Sequence, residues 1–94
     1  MAKGQDFSAY ETITVSGTAG GLTAATISGK SSALITVEVA AVRFHVDGST
    51  PTATVGHVLE VNDVLELDTP EVMSKASFIR KGGTSGTLRC SYGD

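Results

Sequence analysis

The stretch Ala33-Leu34-Ile35-Thr36-Val37-Glu38-Val39, then Ala40-Ala41, then Val42-Arg43-Phe44-His45-Val46-Asp47 decides the fold. On an extended chain Ile35, Val37 and Val39 fall on one face, with Leu34, Thr36 and Glu38 on the other. After the alanine pair, Val42, Phe44 and Val46 share a face opposite Arg43, His45 and Asp47. A repeat of two is the side-chain period of a strand, not of a helix. The apolar set slips by one position at Ala40-Ala41, and such a slip sends every following side chain to the opposite face. A bulge, corner or tight connection is therefore expected there, returning the apolar face to the core.

Weaker versions of the pattern extend both ways. Upstream, Thr12 to Ser16 alternates around Ile13 and Val15, and Leu22 to Ser28 reads as a weak second strand between glycine punctuation. Downstream, Asp47-Gly48-Ser49-Thr50-Pro51 is a turn signal: Asp suits the first turn position, Gly permits positive φ, and Pro51 keeps Thr50 extended. Val55 to Val61 and Val64 to Asp68 flank Asn62-Asp63 as a hairpin would, and Thr69-Pro70 ends that unit. Lys75 to Lys81 and Thr87 to Tyr92 flank Gly82-Gly83-Thr84-Ser85-Gly86 and read as a terminal hairpin. Composition agrees, since Val, Ile and Thr supply 26 of 94 residues, Gly 11 and Leu only 6. The expectation is an all-β chain of about eight short antiparallel strands, with helix under about 10 %. Sandwich, jelly roll and small barrel stay open at this point.

Ninety-four residues make a single domain, read as a flexible arm over residues 1–11 and a β domain over 12–94. A chain of this size buries only about 60 to 65 % of its unfolded surface, so its own core is marginal. The lone Cys90 excludes an intrachain disulfide, and that cysteine with two separated histidines makes a poor zinc site. Subunit partners are the remaining support. A net charge of −3 without a Lys/Arg cluster argues against nucleic acid as a partner. Apolar runs are far shorter than the roughly 20 residues that cross a bilayer. Met1-Ala2-Lys3-Gly4-Gln5-Asp6 has no apolar h-region, so no signal peptide is read and synthesis in a cytoplasm is expected.

Val42 to Thr52, continuing through Gly56-His57 to Asp63-Val64-Leu65-Glu66-Leu67, resembles small proteins of tailed bacteriophages encoded among virion structural genes. Phe78 to Tyr92 is similar to the C-terminal hairpin of that group, and Ile13-Thr14-Val15-Ser16-Gly17 fits its early strand. The likeness covers about four-fifths of the chain. It implies a virion role, as a capsid decoration (cement) protein or a tail- or neck-associated protein, and no reaction.

The residues themselves offer no catalytic set. His45 and His57 with Asp47 or Glu60 would have to act as a cupin-type metal site, but the histidines are 12 apart and there is no third. No strained Gly-x-Ser-x-Gly elbow occurs. Cys90 alternates with Leu88 and Tyr92 and reads as a small buried side chain rather than a reactive thiol. The glycines of residues 82–86 lack the Lys-Ser/Thr and helix of a phosphate loop. Glu60, Asp63, Glu66 and Asp68 read as a solvated face of one hairpin. Without Trp, and with three Phe and two Tyr, a sugar-stacking platform is thin, which disfavours a carbohydrate-binding domain. Catalytic, cofactor and metal residues are therefore expected to be none. Phe7 and Tyr10, aromatic in a polar arm, are the expected interface anchors, toward further copies and a major capsid or tail protein. A capsid's local three-fold axes would suit a trimer.

Overall fold

The computed structural model describes residues 7–93. In chain order the elements are β1 (Phe7–Val15), β2 (Gly20–Gly21), α1 (Ala24–Ile27), β3 (Ser32–Glu38), β4 (Val42–His45), β5 (His57–Leu59), β6 (Val64–Leu67), α2 (Pro70–Lys75), β7 (Ser77–Arg80) and β8 (Gly86–Gly93). Strand accounts for 47 % and helix for 11 %, so the chain is all-β, with helix just above the expected limit. Two four-stranded antiparallel sheets form, ordered β1-β8-β3-β6 and β2-β7-β4-β5. Pairing is nested: β1 with β8, β2 with β7, β3 with β6 and β4 with β5, closed by β3–β8 and β4–β7. One long antiparallel ribbon, its tip at the β4–β5 loop, has folded over into two layers. That is the strand order of a jelly-roll sandwich.

The slip at Ala40-Ala41 is the change of layer. Val39 takes φ 76°, and the Ala40 N–H donates to the Glu38 carbonyl at 2.9 Å, so the chain leaves one sheet at Glu38 and enters the other at Val42. Ile35 and Val37 before the corner, and Val42 after it, are all fully buried. Gly86 closes against this corner: a Cβ there would lie 2.5 Å from the Ala40 carbonyl oxygen and 2.8 Å from Val42 Cγ1. Between the layers Tyr92, Phe78, Leu88, Cys90 and Met73 fill the core.

Both expected downstream hairpins are corrected. β5 and β6 reverse direction but lie in different sheets, as do β7 and β8. A turn signal fixes that the chain reverses, not which neighbour receives the next strand. At the β5–β6 link Asp63 Oδ2 accepts the Glu60 N–H at 2.8 Å, Asn62 takes φ 78°, and the Asn62 N–H reaches the Val37 carbonyl at 2.9 Å, tying one layer to the other. The weak strand expected over Leu22 to Ser28 is instead the single turn α1, with only Gly20–Gly21 paired to β7. Thr69-Pro70 ends β6 as expected but also starts α2. Thr69 Oγ1 accepts the Val72 N–H at 3.1 Å, and Pro70 occupies the first turn, where a missing N–H costs nothing. The first strand begins at Phe7 rather than Thr12, so Phe7, Ala9, Tyr10 and Glu11 of the expected arm are paired with β8. The rest of that arm, residues 1–6, lies outside the described residues.

Candidate functional site

The outer face of the β1-β8-β3-β6 sheet carries polar side chains from alternate positions of neighbouring strands. Tyr10, Thr12, Arg89 and Glu38 form one network on it. Arg89 Nε donates to Glu38 Oε1 at 3.0 Å, and Arg89 Nη1 donates to Thr12 Oγ1 at 3.1 Å and the Tyr10 hydroxyl at 3.3 Å. Hydrogen bonds from Thr12 and then Arg89 hold the Tyr10 phenol below its ordinary range, while Tyr10 and Glu38 push the Arg89 guanidinium up. Tyr10 remains 58 % exposed, so the network stiffens a solvated surface.

Phe7 sits apart from it. A bulge between Phe7 and Ala9 places Phe7 opposite Gly93, and Gly93 is also the partner of Ser32. Phe7 and Ser32 both line a cleft of about 180 Å³, together with Ala33, Leu34, Glu66 and Asp68. The Ser32 hydroxyl, in a residue only 4 % exposed, has no hydrogen-bond partner among the described residues. An orphaned buried hydroxyl costs on the order of 1 to 3 kcal/mol, and native folds carry few of them. Glu66 and Asp68, two apart at the end of β6, carry no ion pair among the described residues. Two larger depressions, about 420 Å³ beside Lys81 to Thr84 and about 480 Å³ between α1 and α2, are lined by no carboxylate or aromatic side chain.

The histidines do meet. His57 opens β5 opposite Phe44, with ring centroids 5.3 Å from Phe44 and 6.3 Å from His45. Glu60 does not join them, lying 3.9 Å from Lys81, and Asp47 reaches His45 only through the Ser49 hydroxyl. No group of three or more His, Cys, Asp or Glu could hold a metal ion among the described residues. His45, Ser49 and Asp47 are close but wired unlike a catalytic triad. The Ser49 hydroxyl donates to Asp47 Oδ1 at 2.5 Å and lies 2.8 Å from His45 Nδ1, so the serine stands between base and acid. In a triad the histidine stands between the other two and takes the hydroxyl proton. Here that proton is committed to the carboxylate. The Ser49 hydroxyl, then its backbone N–H at 3.0 Å, hold Asp47 below its ordinary range and lock the turn.

The half-buried Glu11 accepts, through Oε2, the hydroxyl of the buried Tyr92 at 2.5 Å and the N–H of the exposed Thr23 at 3.2 Å. Desolvation, then the Glu11 hydrogen bond, drive the Tyr92 phenol far up, so it stays neutral. Cys90 is free and fully buried, its thiol pushed by burial to about 11. A thiol held protonated at neutral pH is a poor nucleophile and a poor metal ligand.

No family model, curated protein or solved structure matches the chain.

Of the two expected anchors, Tyr10 is bound into the Arg89 network and Phe7 walls the cleft, so the fold does not bring them to one site. Sequence reasoning misses the cleft as a unit. Glu66 and Asp68 on alternate positions are a visible signal, but joining them to Phe7 requires the β1-β8-β3-β6 order.

Proposed function

We propose that this chain is a non-enzymatic structural protein of a tailed-phage particle, a homo-oligomeric decoration protein seated on the capsid. The observation that carries the assembly is the exposure of large apolar side chains at both edges of the sandwich. Val58, Val61 and Val64 are 36 to 56 % exposed on β5, β6 and the link between them, and Phe7 is 48 % exposed at the start of β1. Apolar surface left open on a small domain marks a place where another protein docks. Three of the four edge strands, β2, β5 and β6, are two to four residues long, whereas β1 offers nine. A long edge strand is a template for further pairing. The phage context comes from the sequence resemblance, with the virion as location, host cytoplasm as place of synthesis, and copies of itself and the major capsid protein as partners.

Sedimentation of the purified protein, alone and with empty tailed-phage heads, tests this reading. Oligomers that co-sediment with heads at a fixed ratio support it. A monomer at millimolar concentration that leaves heads bare overturns it.

A further inference from the structure

We infer that the cleft lined by Phe7, Leu34, Glu66 and Asp68, and by Ser32 with its buried, unpartnered hydroxyl, is a docking site for an arginine side chain. Each wall matches one part of that side chain. The cleft of about 180 Å³ falls below the roughly 300 Å³ at which pockets for whole drug-sized ligands begin, so it takes a single side chain. Leu34, Ala33 and the Phe7 ring offer apolar surface for an aliphatic stem, and a guanidinium over an aromatic face gains cation–π attraction. Glu66 and Asp68 bring two negative charges with no counter-charge among the described residues. The five N–H donors of a guanidinium serve both carboxylates and leave one for Ser32, which lacks a partner. A neutral sugar would satisfy the hydroxyl and leave both charges uncompensated.

In assigning that arginine to the surface on which the protein assembles, the inference rests on the proposed function; the site itself does not. N-acetyl-arginine amide is titrated into the full-length, isotopically labelled protein and followed by amide chemical shifts. Saturable shifts are expected at Ser32, Leu34 and Glu66, weakening with added salt and about tenfold weaker in Glu66→Gln/Asp68→Asn, as for the loss of charge-assisted hydrogen bonds. Both carboxylates are on exposed residues, and an unchanged spectrum elsewhere certifies the fold of that variant. Ser32→Ala supplies the second arm. It is expected to unfold no earlier than the parent, because an orphan hydroxyl is gone, and yet to bind the arginine amide more weakly; a merely structural serine moves stability alone. No saturable shift, shifts unaltered in the double variant, equal binding of N-acetyl-lysine amide, or preferential binding of methyl glucoside overturns the assignment. If arginine binds while the protein stays monomeric and off the heads, the site stands and the assembly proposal falls.

Discussion

Cys90 is legible from alternation alone, since Leu88, Cys90 and Tyr92 occupy every second place of one strand and all three are fully buried. Its chemistry follows from that burial. A thiol reagent at pH 8 is expected to leave the native protein unlabelled and to react on unfolding; rapid native labelling would contradict the packing. Alkaline stability carries the same signature. An acid whose folded pKa rises from 9.0 to about 11 keeps its proton in the fold while the unfolded chain loses it, so stability falls as pH climbs through that window. The full loss is on the order of 3 kcal/mol, because a tenfold change in a proton-binding constant is worth about 1.36 kcal/mol. Urea midpoints measured from pH 8 to 10 should therefore fall more steeply in the parent than in Cys90→Ala, and equal slopes would refute it. Asp47 runs the other way and contributes above its unfolded pKa, with loss on acidification. Glu11 is not legible. Nothing in Tyr10-Glu11-Thr12 says that a carboxylate faces inward, because its reason, the Tyr92 hydroxyl, lies 81 positions along the chain.

At the scale of elements, the one-residue slip at Ala40-Ala41 tells most, and the structure makes it a corner between layers. Val39 carries the strain. A β-branched residue at φ 76° is disfavoured, and at 67 % exposure its side chain contributes little burial in return. Val39→Gly is expected to stabilise the fold by about 0.5 to 1 kcal/mol, the relief of positive φ outweighing the added unfolded-state entropy. A lower melting temperature in this variant would show that the corner is held by the valine side chain. Gly86→Ala should do the reverse and cost about 1 to 3 kcal/mol, since the new methyl meets the Ala40 carbonyl and Val42 across the same corner. The helices are harder to read for a physical reason. α1 has no side-chain cap, and α2 starts on Thr69-Pro70-Glu71, residues that serve equally as a strand stop and a helix start. Thr69→Ala, which removes the Val72 cap, is expected to cost about 1 kcal/mol in chemical denaturation.

For the whole molecule, strand content and turn positions can be read along the chain, but strand order cannot, because only β4 and β5 are both consecutive and paired. Every other pairing joins distant segments, and the cleft inherits that dependence. β1 and β8, the first and last strands, hold each other along Phe7–Val15, so removing residues 1–10 would strip β1 of its pairing with Gly93, Tyr92 and Ser91 rather than trim a loose arm. A marginal core, a long edge strand and open valines on the far side give this domain something to gain from company. If copies associate in the folded state alone, mass action stabilises the fold as concentration rises, by RT ln(1 + [L]/Kd) for each site filled. The melting temperature should then climb by several degrees between about 1 µM and 1 mM, an increment of roughly 4 kcal/mol when the free partner is in thousandfold excess over Kd. Changing Val58, Val61 and Val64 together to Thr should flatten that climb while leaving the dilute melting temperature near the parent value, because all three side chains already face solvent in the single chain. A melting temperature independent of concentration in the parent would show that the open edges do not meet other copies.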